Sequence, residues 1–194
     1  MYPIILDGTT VQLRELEMGD LDSTLAIVGD PVVTAFLSFN TRTRERQADR
    51  LTEDIAKALL EPRQEYRLAI VDRESEVLVG IAQLGLLPDG DSPGVSGEVG
   101  VAIRRDHWRH GCAKEAMELL GVLGFDTLGL RRIQARCVPE NDIVGATLLR
   151  YGFKFEGRLV NDISIDDGWS DSLVYVMLES EYRLLSTLSS CLGF

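Results

Sequence analysis

Histidine is almost missing from this chain of 194 residues, with two copies, His107 and His110, in one short stretch. No separate histidine exists to serve a serine nucleophile, and "GVSG" is not a G-x-S-x-G elbow. Cysteine is scarce too. Cys112, Cys137 and Cys191 form no C-x-x-C pair and cannot all be bridged within one chain, which favours a reducing, cytoplasmic setting. Neither H-E-x-x-H nor a paired Cys/His set is present, so no metal is expected. No apolar run approaches the ~18 to 20 residues that span a bilayer, and "MYPIILDGTT" lacks the basic start and cleavage site of a signal peptide. No membrane partner is therefore expected. Walker and G-x-G-x-x-G loops are absent. Positive charge is also short: 20 Lys and Arg against 31 Asp and Glu give a net charge of −11. That disfavours direct nucleic-acid binding and favours cationic partners.

What remains is an ordinary globular composition, 45% hydrophobic and 26% charged, with mean hydropathy near zero. No repeat or low-complexity linker divides the chain, which predicts one domain over residues 1–180 and a helical tail over 181–194. "TTVQLRELEMGD" alternates Val11, Leu13 and Leu16 with polar residues, a half-buried strand. Asp20 can cap a helix running to about Val28. Residues 43–60 predict a long polar helix with one apolar stripe of Leu51, Ile55, Ala58 and Leu59, closed by Pro62. Strands are expected in "EYRLAIVD", "EVLVGIAQLGLL", "EVGVAIRR" and "RRIQARCV", with a Gly/Pro/Asp/Ser loop "PDGDSPGVSG" after the second. An apolar helix should run from Cys112 to Leu128, and another, capped by Asn141 or Asp142, through "ENDIVGATLLRYG". "FKFEGRL" and "WSDSLVYVMLE" predict a final strand pair. In the tail, Leu184, Leu185, Leu188 and Leu192 need a surface to cover. The order β-α-α-β-β-β-α-β-α-β-β describes a mixed α/β fold.

One stretch stands out against the acidic background. "WRHGCAKEA" and the residues just before it gather Arg104, Arg105, Arg109, Lys114 and both histidines at the start of a predicted helix. Gly111 lets backbone pass close to a ligand, and the small Cys112 and Ala113 leave room. Unpaired N–H groups and the positive end of the helix dipole make this an anion site, most naturally for phosphate. A solvated basic turn entering a helix leaves the same signature. A thiolate role for Cys112 at the helix start competes with simple packing of a small residue.

"VGVAIRRDHWRHGCAKEA", "RRIQARCVPENDIVGATLLRYGFKFEG" and "DDGWSDSLVYVML", in that order, resemble the GNAT acetyltransferase superfamily, in particular the branch of ribosomal-protein N-terminal acetyltransferases and their small-molecule relatives. The resemblance runs from about Thr10 to Leu178. It implies a single domain around a mostly antiparallel mixed sheet of about six to seven strands, flanked by about four helices. It also implies acetyl-CoA as co-substrate, with pyrophosphate held by backbone from about Arg109 to Ala113. Val101, Ala102, Ile103, Trp108, Arg109, His110, Gly111, Cys112, Ala113, Lys114 and Asn141 become the expected cofactor contacts. In the pattern [QR]-x-x-G-x-[GA], Gly111 and Ala113 fit, Trp108 takes the first position, and Arg109 stands where relatives often carry glycine.

Acetyl transfer needs an amine that loses a proton, a stabilised thioester oxygen and a departing thiolate. By alternation Glu98 shares a strand face with Gly100 and Ala102, where its carboxylate can take the amine proton or simply face solvent. The resemblance assigns oxyanion donation to backbone near Val101 and orientation of the donor to Asn141, for which a plain helix cap is the competing reading. The relatives' serine and tyrosine positions are Val144 and Leu148 here, which supports no tyrosine acid and leaves open a CoA-binding module that has lost catalysis. On the acceptor side, "DDGWSDS" with Asp167, Trp169 and Asp171 resembles the hairpin bordering the acceptor groove; its acid can attract an amine or stay a solvated turn. The expected partner is an amine-bearing substrate, a protein N-terminus or a small molecule such as a polyamine, antibiotic or amino acid. A homodimer is an open possibility.

Overall fold

Alternation of apolar and polar residues along eight extended segments builds one sheet, and two helix layers cover its faces. The computed structural model describes residues 1–35, 37, 41–88, 95–165 and 168–192. Strands β1 (Ile5–Asp7), β2 (Val11–Glu15), β3 (Glu65–Asp72), β4 (Leu78–Leu86), β5 (Ser96–Ile103), β6 (Arg132–Cys137), β7 (Lys154–Ile165) and β8 (Gly168–Leu178) line up as β1-β2-β3-β4-β5-β6-β8-β7. All neighbours are antiparallel except β5 and β6, which run parallel. Helices are α1 (Leu21–Val28), α2 (Pro31–Thr34), α3 (Arg44–Ala58), α4 (Cys112–Gly121), α5 (Asp142–Arg150) and α6 (Glu179–Leu192).

Side chains of successive strand residues go to opposite faces, so each central strand feeds two cores. On β3, Leu68 and Ile70 join Leu84, Val99, Ala116, Leu120 and Leu148 beneath α4 and α5. Ala69 and Val71 join Ile27, Val28, Leu51 and Ile81 beneath α1 and α3. The expected α/β fold class holds, with eight strands and six helices among the described residues where fewer were predicted. The additions are short. β1 has three residues with no fully buried side chain, and α2 has four. Neither is long enough to show a period.

Three local expectations change. The predicted helix 112–128 stays α-helical only to Gly121 and ends in a π-helical turn, Val122–Thr127, where Gly124 lies against Ile133. Asp20 sits at the α1 N-cap position, but its carboxylate bonds Arg14 through both oxygens at 2.8 Å and the Glu17 N–H at 2.9 Å. On α3 the predicted stripe loses Leu59, which is 60% exposed beyond the helix end, and gains buried Gln47 and Asp54. In α6, Tyr182 stacks on Phe125 at 4.8 Å and bonds Asp126 at 2.9 Å, while Leu184 stays exposed. The side chains of Leu188 and Leu192, residues 89–94 of the predicted loop, and Asp166 and Asp167 of the hairpin lie outside the described residues.

Candidate active site

The site begins where β5 and β6 part. Their register covers only Ser96↔Arg132, Gly97↔Ile133 and Glu98↔Gln134; beyond it, β5 pairs with β4 alone and β6 with β8 alone. Backbone groups alternate in direction along a strand. Ser96 C=O accepts from Leu87 N and Arg104 N donates to Val79 O, both on the β4 side, whereas Val95 C=O accepts from Arg131 N on the β6 side. By that alternation the C=O of Val99 and the N–H and C=O of Val101 face the gap, beyond the last β5–β6 pair. Parallel strands that separate leave open backbone, the kind of edge an extended ligand can pair with.

A cavity of about 250 Å³ fills this gap. Its walls include Glu98, Gly100 and Val101 of β5, Arg136 of β6, Ala113 and Met117 of α4, and Asn141, Leu148 and Tyr151 around α5. It shares Val99, Met117 and Tyr151 with a second hollow of about 950 Å³ between α4, α5 and α6. The two hollows therefore adjoin along these three side chains.

The start of α4 is the predicted anion site. Gly111 occupies the N-cap position at φ 84°, with no side chain capping the helix. A Cβ built there meets nothing within 4 Å, so the backbone opens onto free space. Arg109 also adopts the left-handed region, φ 68°, which explains why glycine suits that position. Trp108 folds this turn back onto the sheet, its indole Nε1 donating to Ile103 O at 2.8 Å. Uncapped N–H groups, open space over a glycine and a basic rim fit a pyrophosphate. The side chains nearby have other partners. His107 and Arg104 both hold Asp106, at 2.8 and 2.7 Å, and keep its carboxyl far below the usual range, Arg104 first. Lys114 pairs with Glu118 at 2.6 Å. Cys112 is buried in the core and burial pushes its thiol up, which removes it as a thiolate.

Glu115, one turn into α4, is a residue that sequence reasoning missed. Its carboxylate accepts the N–H groups of Thr9, Thr10 and Val11 and the Thr10 hydroxyl, tying the β1–β2 turn to the anion site. Burial alone would raise its pKa, but these bonds outweigh burial and hold it below the ordinary value. Only the β1–β2 turn, invisible to periodicity, could have revealed it.

At the gap itself, Glu98 lines the cavity with both oxygens engaged. Oε1 accepts from Arg136 Nη2 at 2.9 Å, and Oε2 accepts from Gln134 Nε2 and faces Arg136 Nε, each at 2.8 Å. Arg136 reaches on to Asp162 at 2.8 Å, which also takes the Ser172 hydroxyl at 2.5 Å. Alternation in "RRIQARCV" puts Arg132, Gln134 and Arg136 on one face, and the β5–β6 register makes that face Glu98's. Asn141 caps α5, accepting from Val144 N at 3.3 Å, and still lines the cavity. Leu148 is buried and lines the cavity with an apolar side chain; Tyr151, three residues on, lines it too, and burial raises its phenol above the usual value.

The remaining predicted positions lie around this centre. Ala102 and Ile103 pack into the two cores. Arg109, His110 and Gly111 are exposed at the rim. Trp169 is exposed on the hairpin and does not line the cavity. Asp171 is a hairpin staple, bonded to Arg158 Nε at 2.6 Å and Asn161 N at 2.9 Å. Among the described hairpin acids, Asp162 bonds the cavity-lining Arg136, whose guanidinium neutralises it.

A family model described as an acetyltransferase (GNAT) domain matches residues 10–154. The chain is 29% identical over 170 residues to an uncharacterized N-acetyltransferase p20 of Bacillus licheniformis, covering 88% of this chain and 93% of that one. Its structure resembles spermidine N-acetyltransferase from Vibrio cholerae in complex with CoA and spermine, with TM-score 0.76 and 21% identity over 91% of this chain and 99% of that one. It also resembles RimL, a ribosomal L7/L12 alpha-N-protein acetyltransferase, with TM-score 0.76 and 15% identity over 91% of this chain and 94% of that one. At these identities the two structures speak to the fold.

Proposed function

The chain belongs to the GNAT acetyltransferase family, and from that premise we propose that its split sheet moves an acetyl group from acetyl-CoA to a primary amine within one ternary complex. The observation that carries this is the parting of β5 and β6 after Glu98, which opens free backbone beside an uncapped helix start. On this reading Gly111, Cys112 and Ala113 hold the pyrophosphate through backbone N–H groups, and Val99 and Val101 align the chain that leads to the thioester. Acetyl-CoA supplies an activated acyl group on sulfur. The acceptor nitrogen bonds the acetyl carbon as the carbon–sulfur bond breaks; the amine loses a proton and the sulfur gains one.

The chain's residues manage those protons and charges. Glu98 borders the cleft, and its oxygens keep lone pairs beyond those used by Arg136 and Gln134, so it can receive the amine proton directly or through water. The Val101 N–H facing the gap is placed to stabilise developing charge on the acyl oxygen. Tyr151, kept protonated by burial, is the group on the donor side that can return a proton to sulfur. The acceptor is an amine on a peptide N-terminus or on a small molecule; the two likenesses above include an enzyme of each kind. Thiol release from acetyl-CoA over a panel of peptides and amines tests the reading. Glu98→Gln should lower kcat/KM by ~100-fold, the low end for a positioned base, while CoA affinity holds. CoA binding with no release for any amine would favour a catalytically silent CoA-binding module, the reading that Val144 and buried Leu148 support.

A further inference from the structure

The face of the sheet opposite α4 carries a polar chain that acetyl transfer alone does not require. Arg67 on β3 sits directly across from Gln83 on β4, and Gln83 across from Gly100 on β5. Arg67 Nε pairs with Asp54 Oδ2 of α3 at 3.0 Å, and its Nη1 donates to Gln83 Oε1 at 3.2 Å. A guanidinium only donates, so it fixes the amide: Oε1 faces Arg67 and the two Nε2–H groups must point the other way. There Nε2 lies 3.2 Å from where a side chain on Gly100 would begin, and Gln83 lines the cavity beside Glu98. Only a residue without a side chain leaves that amide uncovered. Arg67's remaining N–H groups have no other partner among the described residues and are not sealed from solvent.

The charge around this chain is positive. Arg42 and Arg50 flank it; Arg42 donates to Gln47 Oε1 at 3.2 Å, and Arg50 meets Asp54 at 2.9 Å and Glu65 at 2.8 Å. Burial, then Arg67 and Arg50, lower Arg42 to about 10. The buried or half-buried carboxylates on this side meet cations: Asp54 meets Arg67 and Arg50, Glu65 meets Arg50 and Lys57, Glu98 meets Arg136; exposed Glu53 stands 4.0 Å from Arg50. Among the described residues that line the cavity, Glu98 is the one carboxylate and Arg136 holds it, so a second ammonium of a polyamine would find no unmatched carboxylate there.

We propose that Gln83, aimed by Arg67, forms a carboxylate subsite on the acceptor side of the cleft, and that the acceptor is an amine carrying a carboxylate a few bonds away. The proposal rests on the acetyltransfer reading and narrows its substrate. Neighbouring strands are ~4.8 Å apart, so the β4 amide lies about one strand spacing from β5 at the gap, a distance that a few bonds span. Such a carboxylate can belong to a free amino acid or to an acidic first residue of a peptide.

The test uses matched acceptors with the intact enzyme at low salt: free glutamate against glutaminamide, and a tripeptide amide beginning with Glu against one beginning with Gln, plus spermidine. The anionic member of one pair should show kcat/KM about tenfold higher than its neutral partner, and the pair that responds identifies the source. Gln83→Glu should bring that ratio to one or below, because like charges then meet, and Gln83→Met should erase it without adding charge. Arg67→Lys, which keeps the charge beside Asp54, should weaken it by freeing the amide to turn. Equal rates within both pairs, preference for spermidine, or a ratio that survives Gln83→Glu overturns the subsite while leaving acetyl transfer intact. No thiol release from any acceptor, neutral ones included, overturns both together.

Discussion

Replacing Glu115 with Gln should loosen the start of α4 from the sheet and weaken donor binding with it. In the native protein one carboxylate accepts from three consecutive backbone N–H groups and a hydroxyl across more than a hundred residues of chain. Glutamine keeps one acceptor oxygen and turns an NH2 toward backbone N–H groups, which can only donate. Bonds to a charged acceptor contribute ~1.5–3 kcal/mol each, and they do not add when they share one group. Glu115 is partly solvated, which trims the figure, so the expected loss is ~2 kcal/mol, or a fall of ~4–8 °C in melting temperature for a chain this size. The pH dependence gives the sign. A carboxylate held below its unfolded value contributes fully above that unfolded value and loses its contribution as pH falls through the lowered one. The stability gap between wild type and Glu115→Gln should therefore be full at pH 7 and close progressively in acid below about pH 4.5. Urea titrations followed by tryptophan fluorescence at several pH values measure it. A gap under ~0.5 kcal/mol at pH 7, or one that widens in acid, would refute the reasoning.

Other expectations follow from single geometries. Arg109→Gly should raise stability by ~0.5–1 kcal/mol, since relief of the left-handed strain exceeds the extra entropy glycine loses; thermal melting reads the sign. Tyr151→Phe should lower kcat by ~100-fold with little change in KM for acetyl-CoA, and a fall of under twofold would assign the proton to solvent.

Much of this arrangement was legible in the sequence, and the gaps have physical causes. The strand "EVGVAI", the glycine before "CAKEA" and the cap at Asn141 each carry a local signature, so the donor side could be read directly. Partners across the sheet could not. Glu98 was visible as a strand carboxylate, but its pairing with Arg136 depends on a parallel register 36 residues or more away in sequence. The acidic hairpin read as an open lure for amines because Asp162 and Asp171 stand among acids in sequence; Arg136 and Arg158 neutralise them only in the fold. Asp54 and Gln47 broke the apolar stripe of α3 for the same reason, since Asp54 serves Arg67 and Arg50, and Gln47 serves Arg42. Polar chains that run sideways across strands leave no period to find.

The central claim is that backbone at the start of α4 holds the donor while the gap beside Glu98 passes its acetyl group to an amine. Gly111→Asp isolates the first half. Aspartate tolerates a left-handed backbone better than most residues and suits a helix cap, so the fold should persist, yet its charge would stand where an anion must sit. The decisive measurement is thiol release matched to acetylated amine, read beside CoA calorimetry, for wild type and Gly111→Asp. The account predicts equal yields of thiol and acetylated amine in the wild type and the loss of both turnover and CoA binding in a folded variant. Full CoA affinity in Gly111→Asp, or wild-type protein that acetylates no amine, would contradict it.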